Sequence, residues 1–347
     1  MTETEDHDPA ALLYASMAGV DTTFSVMERL RARYAKTPRD KLLAEAIDAL
    51  LAAAVQREDL ARSPGFDNRA RGSGLVIVGP TGVGKSRALE RYFKKHATLQ
   101  HYEDPASQSP LLSVAAPSPC TSMQLARVIL RQSGYPIERD LPAHRLWELV
   151  WDRMDSLKRF ILHIDELQHV VEHISDKDKQ EVANLLKHAM YARRISLIIS
   201  GVDALMPFIE FDPQLLRRLT IKSFDPLRPD SISDLMRAVN DYAKAAGLTV
   251  DTGDLPERPD FYARLAHAGL NGFGYAVVIT HLAIELALRT ESPVLSREHF
   301  ATVFARKTGL ALDRNVFRAD NWHEIDCSRL YSKKPIPLPP TPARRKK

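Results

Sequence analysis

Apolar residues recur at two periods along this chain, and the change from one to the other divides it. From residue 9 to about residue 63, ALLYASMAGV, FSVMERLRARYA and DKLLAEAIDALLAAAVQREDLA place apolar residues three and four apart, the spacing of amphipathic helices. Thr37-Pro38 and Ser63-Pro64-Gly65 punctuate this region. From Gly74 short apolar runs alternate with helical stretches. LVIVG is a buried strand, and the turn after it opens a helix through Phe93. LLSVAA (111–116), FILHID (160–165) and ISLIIS (195–200) are three further strands, and LTIKSF (219–224) supplies a fifth. Between them PSPCTSMQLARVILRQSG, with Ser118 or Thr121 as its cap, LPAHRLWELVWDRMDSL and KQEVANLLKHAMYAR carry helical spacing. Strands separated by helices predict an α/β fold with a parallel, helix-covered sheet of five strands.

After about Pro229 no strand interrupts. SISDLMRAVNDYAKAAG, DFYARLAHAG, YAVVITHLAIELALRT and SREHFATVFARKTG are successive helices and predict a small all-helical lobe. The expected division is a helical extension (1–63), an α/β domain (64–228), a helical lid subdomain (229–312) and a tail (313–347). The tail's KKPIPLPPTPARRKK is proline-rich with basic flanks, either a solubilising end or a docking peptide.

Composition narrows the class. Of 347 residues, 44% are apolar and 27% charged, as in a globular protein. The two cysteines, Cys120 and Cys327, are far apart in sequence. With the acidic start MTETEDHD, which lacks secretory features, they suggest a reduced, cytoplasmic protein. The longest apolar run, AVVITHLAIELAL, is broken by His281 and Glu285, short of the roughly 18 residues a membrane span needs, so no membrane partner is expected. The net charge of +4 is uneven: seven basic and no acidic residues follow Ser328, leaving 41 basic against 44 acidic in the body. Attraction to nucleic acid would therefore come from local patches and the tail.

The chemistry sits in two motifs. Gly79-Pro80-Thr81-Gly82-Val83-Gly84-Lys85-Ser86, followed by Arg87, matches the phosphate-binding loop. Its glycines let backbone N–H groups wrap a phosphate, Lys85 reaches the β- and γ-phosphates, and Ser86 ligates Mg²⁺. The helix that follows turns its positive end toward the anion. Arg159-Phe160-Ile161-Leu162-His163-Ile164-Asp165-Glu166 is an apolar strand ending in two acids. Asp165 would hold the Mg²⁺ shell, and Glu166 would polarise the attacking water. A second acid of this kind points to ATP hydrolysis, and no NKxD guanine-reading motif occurs.

Three further features have two readings each. Ser200, ending ISLIIS, is either a strand-end cap or a sensor of the γ-phosphate or its water. Arg217 and Arg218 in DPQLLRRL are either a solvated pair at a helix end or a finger for a neighbouring subunit's γ-phosphate. His163, His169 and His173 surround the acids, and the last two have i, i+4 spacing, but no third ligand type accompanies them. Trp147 and Trp151, also i, i+4, read as packing.

With these motifs placed, the chain resembles the AAA+ ATPases, and within them the transposition regulators of the TniB/TnsC type. PLLSVAAPSPCTSMQLARVILRQSGYP, FILHIDELQHV, NLLKHAMYARRISLIISGVDAL and PQLLRRLTIKSFDPL are similar to successive segments of that group, across about residues 60 to 300. The resemblance implies an ATP- and Mg²⁺-dependent homo-oligomer, a ring or filament, on double-stranded DNA. It would link a target selector of the TniQ type to a DDE transposase; the alternatives are another DNA-associated AAA+ role, as initiator, helicase or clamp loader, and an ATP-gated scaffold with negligible hydrolysis. Carried onto this chain, Lys85, Ser86, Asp165 and Glu166 take the nucleotide roles, Ser200 the sensor, and Arg217 or Arg218 the finger. In one departure, the group's helical lobe often offers an arginine as second sensor, whereas here the Gly269–Tyr275 turn is followed by no arginine until Arg289, which leaves the coupling of lid to nucleotide open. Candidate DNA contacts are Arg127 and Arg131, which otherwise read as ordinary solvated charges.

Overall fold

A computed structural model describes residues 8–18, 22–137, 139–172, 174–254, 259–310 and 314–328. In chain order its main elements are α1 (Pro9–Ala18), α2 (Thr22–Ala32), α3 (Pro38–Ala54), β1 (Gly74–Val78), α4 (Lys85–Lys95), β2 (Leu111–Ala115), α5 (Ser122–Gln132), α6 (Ala143–Ser156), β3 (Ile161–Asp165), α7 (Gln168–Val171), α8 (Asp176–Tyr191), β4 (Ser196–Gly201), α9 (Met206–Phe211), α10 (Pro213–Leu216), β5 (Leu219–Ser223), α11 (Ile232–Ala245), β6 (Thr249–Asp251), α12 (Phe261–Ala268), α13 (Phe273–Arg289), β7 (Val294–Ser296) and α14 (Arg297–Thr308). They fall into two compact units, one of residues 37–226, the other of 1–36 with 227–347.

The first unit is built on a five-stranded sheet in the order β2-β3-β4-β1-β5, with every pair parallel. The strands at its centre are buried on both faces, so they read as continuous apolar runs rather than as alternating ones. One face presents Val76, Val78, Leu112, Val114, Leu162, Ile164, Leu197 and Ile199 to α5, α6 and α8. Trp147 and Trp151 of α6 lie in that core with ring centroids 5.1 Å apart, as packing residues. The alternate positions, His163 and Ser200 among them, point to the opposite face, where the His163 ring meets Phe93 of α4 at 5.2 Å. Thr121, rather than Ser118, caps α5, its side chain accepting from the Gln124 N–H at 3.2 Å.

The second unit has its own core. Met27 and Leu30 of α2 pack with Leu235 and Val239 of α11, Phe261 of α12, Ile284 of α13 and Phe300 and Phe304 of α14. The helices expected in residues 1–63 are thus shared between the units: α2 joins this core, while α3 packs on β1 and α4 in the other. The C-terminal helices lie where their periodicity places them. The lobe also contains a two-stranded parallel pair, β6 with β7, which an all-helical lobe did not anticipate. Three-residue strands are too short to show an alternating pattern.

Candidate nucleotide-binding site

The phosphate-loop sequence spans the gap between the end of β1 and the start of α4. Its entrance is tight. The Gly79 N–H donates to the Gly201 carbonyl on β4 at 3.3 Å, and a Cβ on Gly79 would stand 2.4 Å from the Phe224 carbonyl oxygen. Only glycine fits there. The exit is open: Gly84 has φ +103°, and nothing lies within 4 Å of where its Cβ would point. That conformation favours glycine and leaves space in front of the first turn of α4, where the positive end of the helix dipole attracts anions. Val83, buried, anchors the loop. Pro80 and Gly82 are half-buried, while Thr81, Ser86 and Arg87 are exposed.

Lys85 is only 5% exposed. Its Nζ donates to the carbonyls of Gly79 at 2.7 Å and Pro80 at 3.0 Å. Burial pulls the ammonium's pKa below the ordinary lysine range, opposed by the nearby carboxylates of Glu166, Asp165 and Asp203. Asp203 was not singled out from sequence. Its one signal is an acid two residues past the glycine that ends β4.

The acid pair lies at the end of β3. Asp165 Oδ1 accepts from the Ser200 hydroxyl at 2.5 Å and from the Glu166 N–H at 3.0 Å. Glu166 has φ +57°, a left-handed conformation that costs a non-glycine residue on the order of 1–3 kcal/mol and tends to mark functional sites. Its carboxylate accepts from the Gln168 amide. Gln168 is 3% exposed, and its Oε1 accepts from the Val202 N–H at 3.4 Å. A buried amide thus links the second acid to the end of β4. Sequence reading passed over Gln168, because an amide two residues after an acid pair has no recognisable spacing.

Ser200 is wholly buried at the end of β4, the strand between β3 and β1. It contacts His163 Nε2 at 3.0 Å as well as Asp165. The structure therefore brings Lys85, Asp165, Glu166 and Ser200 to one end of the sheet. Among the described residues no group of three or more His, Cys, Asp or Glu could hold a metal ion. The Ser86 hydroxyl and Asp165 carboxylate do fit Mg²⁺ arriving with a nucleotide, because that ion uses one or two carboxylates and takes its remaining ligands from phosphates and water. His169 Nδ1 contacts the Ala116 carbonyl at 3.2 Å. His173 lies outside the described residues.

The two arginines are elsewhere. They precede Leu219, the first residue of β5, whose register partner is Gly74, the first residue of β1; the Gly74 N–H donates to the Arg218 carbonyl at 2.9 Å. The loop begins after the last residue of β1, about 17 Å away at roughly 3.3 Å per residue. Arg217 is exposed, its Nε donating to the Pro213 carbonyl at 3.2 Å. Arg218 is half-buried, its guanidinium 5.5 Å from the Tyr191 ring, which Arg71 approaches at 4.0 Å. Arg127 is engaged within its own unit, with Asp140 at 2.8 Å and the Ile137 and Arg139 carbonyls.

Comparison with known proteins bears on the fold and the family. No curated protein sequence matches the chain. Among solved structures, Cdc6p from Pyrobaculum aerophilum is similar with a TM-score of 0.58 at 16% identity, covering 81% of this chain and 70% of that one. The Aeropyrum pernix ORC1 protein, solved in complex with DNA, gives 0.55 at 17% identity, covering 81% and 68%. Drosophila ORC, solved bound to DNA, gives 0.51 at 16%, covering 84% and 67%. At such identities the likeness shows a shared AAA+ fold. The family model described as Bacterial TniB protein matches residues 51–228, more than half of the chain and the whole of the phosphate-loop, acid-pair and arginine segments. A parallel sheet of this order, carrying those segments under that match, makes the chain a member of the TniB family, AAA+ ATPases associated with transposition.

Proposed function

We propose that the chain hydrolyses ATP as part of a homo-oligomer, a ring or filament, assembled on double-stranded DNA, and joins a target selector of the TniQ type to a DDE transposase. Hydrolysis, weak in the free protein and stimulated by DNA, sets how long the assembly lasts. The observation that carries this reading is the separation within one chain. Asp165 is the last residue of β3, and Lys85 and Glu166 lie past the ends of β1 and β3, while Arg217 and Arg218 lie before the start of β5. An arginine so placed cannot complete its own site, so a neighbour's must.

Each residue's part follows from its surroundings. Lys85 exchanges the Gly79 and Pro80 carbonyls for phosphate oxygens, which its charge prefers. Mg²⁺, bound with the nucleotide, neutralises phosphate charge. Asp165 and Ser86 hold that ion. Glu166, oriented by Gln168, accepts the proton of the attacking water. Arg217, exposed where Arg218 is stacked on Tyr191, is the finger. The DNA in two of the similar structures belongs to those proteins. It supports the same template here, gripped mainly through phosphates and so weakened by salt.

The test is ATP turnover with and without duplex DNA. Wild type should be stimulated, Glu166→Gln inactive but able to bind DNA with ATP, and Lys85→Ala defective in both. Mixing Lys85→Ala with Arg217→Ala should restore turnover, because the first supplies arginines to the intact loops of the second. Nucleotide-gated DNA binding without turnover in wild type would make the protein a scaffold instead. Absence of any DNA response, with no rescue on mixing, would overturn the proposal.

A further inference from the structure

A histidine inside a buried parallel strand is costly unless its polar atoms are used. His163 occupies such a position, 4% exposed in the middle of β3, where its neighbours in ILHID are apolar. Its Nδ1 is 2.8 Å from the Ser113 hydroxyl of β2, its register partner. Its Nε2 is 3.0 Å from the Ser200 hydroxyl of β4. Ser200 in turn is 2.5 Å from Asp165 Oδ1. Four side chains from three adjacent strands thus form one line that ends at the proposed metal-holding carboxylate.

Counting protons gives the line a direction. A carboxylate only accepts, and a serine hydroxyl has one proton. Ser200 therefore donates to Asp165 and has no proton left for His163, so His163 Nε2–H must donate to Ser200. A neutral ring then has its lone pair at Nδ1, which accepts from Ser113. Burial of the ring favours that uncharged form, since a buried charge without an ionic partner is costly. With a neutral ring every member is satisfied in this order: Ser113 to His163, His163 to Ser200, Ser200 to Asp165. The tautomer is assigned from this network.

We propose that His163 is a positioning residue: by donating to Ser200 it commits the serine's only proton to Asp165, and so aims the carboxylate that holds the nucleotide's Mg²⁺. This rests on the nucleotide reading above and deepens it. Ser200 then serves the site through Asp165, since the hydroxyl proton a phosphate would need is already directed there. Partners that orient a metal ligand in this way typically cost about 10–100-fold in metal affinity when lost.

Two measurements test the proposal on the full chain. In long-range ¹H–¹⁵N spectra of the histidine-labelled protein, with the His163 signal assigned by its loss in His163→Gln, the ring should be the neutral Nε2–H tautomer. An Nδ1–H tautomer or an imidazolium would overturn the relay. The second measurement is binding of a fluorescent ATP analogue in EDTA and across a Mg²⁺ titration. His163→Leu should need at least about tenfold more Mg²⁺ to reach half of its metal-dependent gain, while metal-free binding through the loop stays within about twofold. His163→Gln, whose amide N–H reaches toward Ser200, should recover most of the wild-type response. An unchanged Mg²⁺ requirement in a folded His163→Leu would overturn the relay. Wild-type protein that binds no nucleotide at all would instead overturn the nucleotide reading. Should His163→Leu not fold, the wild-type tautomer alone decides.

Discussion

Asp212 offers the sharpest link between a buried group and the proposed trans-acting arginine. It is 5% exposed at the N-terminus of α10, four residues long, which leads directly into Arg217. Its Oδ1 accepts from the Gln214 and Leu215 N–H groups at 2.8 and 2.9 Å, and its Oδ2 from Lys187 Nζ at 2.7 Å and the Gln180 amide at 2.9 Å. Asp212→Ala removes a helix cap of about 1 kcal/mol. It also leaves Lys187 unpaired; breaking a buried pair costs about 3–5 kcal/mol. The Lys187 side chain is 19% exposed and can recover water, so a smaller share of about 2 kcal/mol is appropriate. The sum, about 3 kcal/mol, should lower Tm by about 6–12 °C, at roughly 2–4 °C per kcal/mol for a unit of this size. Asp212→Asn keeps an oxygen for the cap and should lose about 2 kcal/mol.

The pH dependence has a definite sign. Burial would raise the Asp212 pKa, but the hydrogen bonds from Lys187, Gln180 and the two backbone N–H groups outweigh it and hold the carboxyl well below the usual range. A depressed folded pKa gives stability that is fully present above the unfolded value of about 3.9 and is lost as pH falls below it. Urea melts followed by circular dichroism should show a wild-type to Asp212→Ala gap that is constant from about pH 7 to about pH 5 and narrows in stronger acid, where the neutral carboxyl keeps only the cap. Turnover should fall with α10, while nucleotide affinity at the loop holds. A variant within about 0.5 kcal/mol of wild type at neutral pH, or a gap that persists undiminished in acid, would refute the reasoning.

Other consequences are simpler to test. Gly84→Ala forces φ +103° on a side chain, at a cost of about 1–2 kcal/mol; the loop should relax away from it and bind fluorescent ATP about tenfold more weakly, and full affinity would show that the conformation is dispensable. Arg217→Ala should lower DNA-stimulated turnover by about 10³ or more without weakening ATP binding, whereas Arg218→Ala, which loses a stack on Tyr191, should show mainly in the melting curve; a reversed pattern would make Arg218 the finger. Trp151→Ala empties a packed position between α6 and its neighbours and should destabilise the α/β unit by about 3–5 kcal/mol in denaturant. Ending the chain at Ser328 removes seven basic residues, so the salt dependence of DNA binding should become shallower if the tail touches phosphates; an unchanged slope would exclude that contact.

Local chemistry was legible along the chain because its signals are contiguous. LVIVG, FILHID and ISLIIS are apolar runs of strand length, and the glycines, Lys85 and Ser86 follow one another without a gap. Each can be read without knowing its neighbours in space, and so can the order of strands and helices that makes the sheet parallel. Only tertiary structure could decide which side chains meet across that sheet. The order β2-β3-β4-β1-β5 sets β3 between two strands distant in sequence, so Ser113, His163 and Ser200, 50 and 37 residues apart, become one line of hydrogen bonds. The same strand direction puts Arg217 and Arg218 at the far end of the sheet from Lys85, a separation invisible in a list of motifs. Helix periodicity likewise showed α2 and α3 but not their destinations, since an apolar stripe records that a face is covered and not by what. Pairing across strands depends on register and crossover, and these are properties of the folded chain alone.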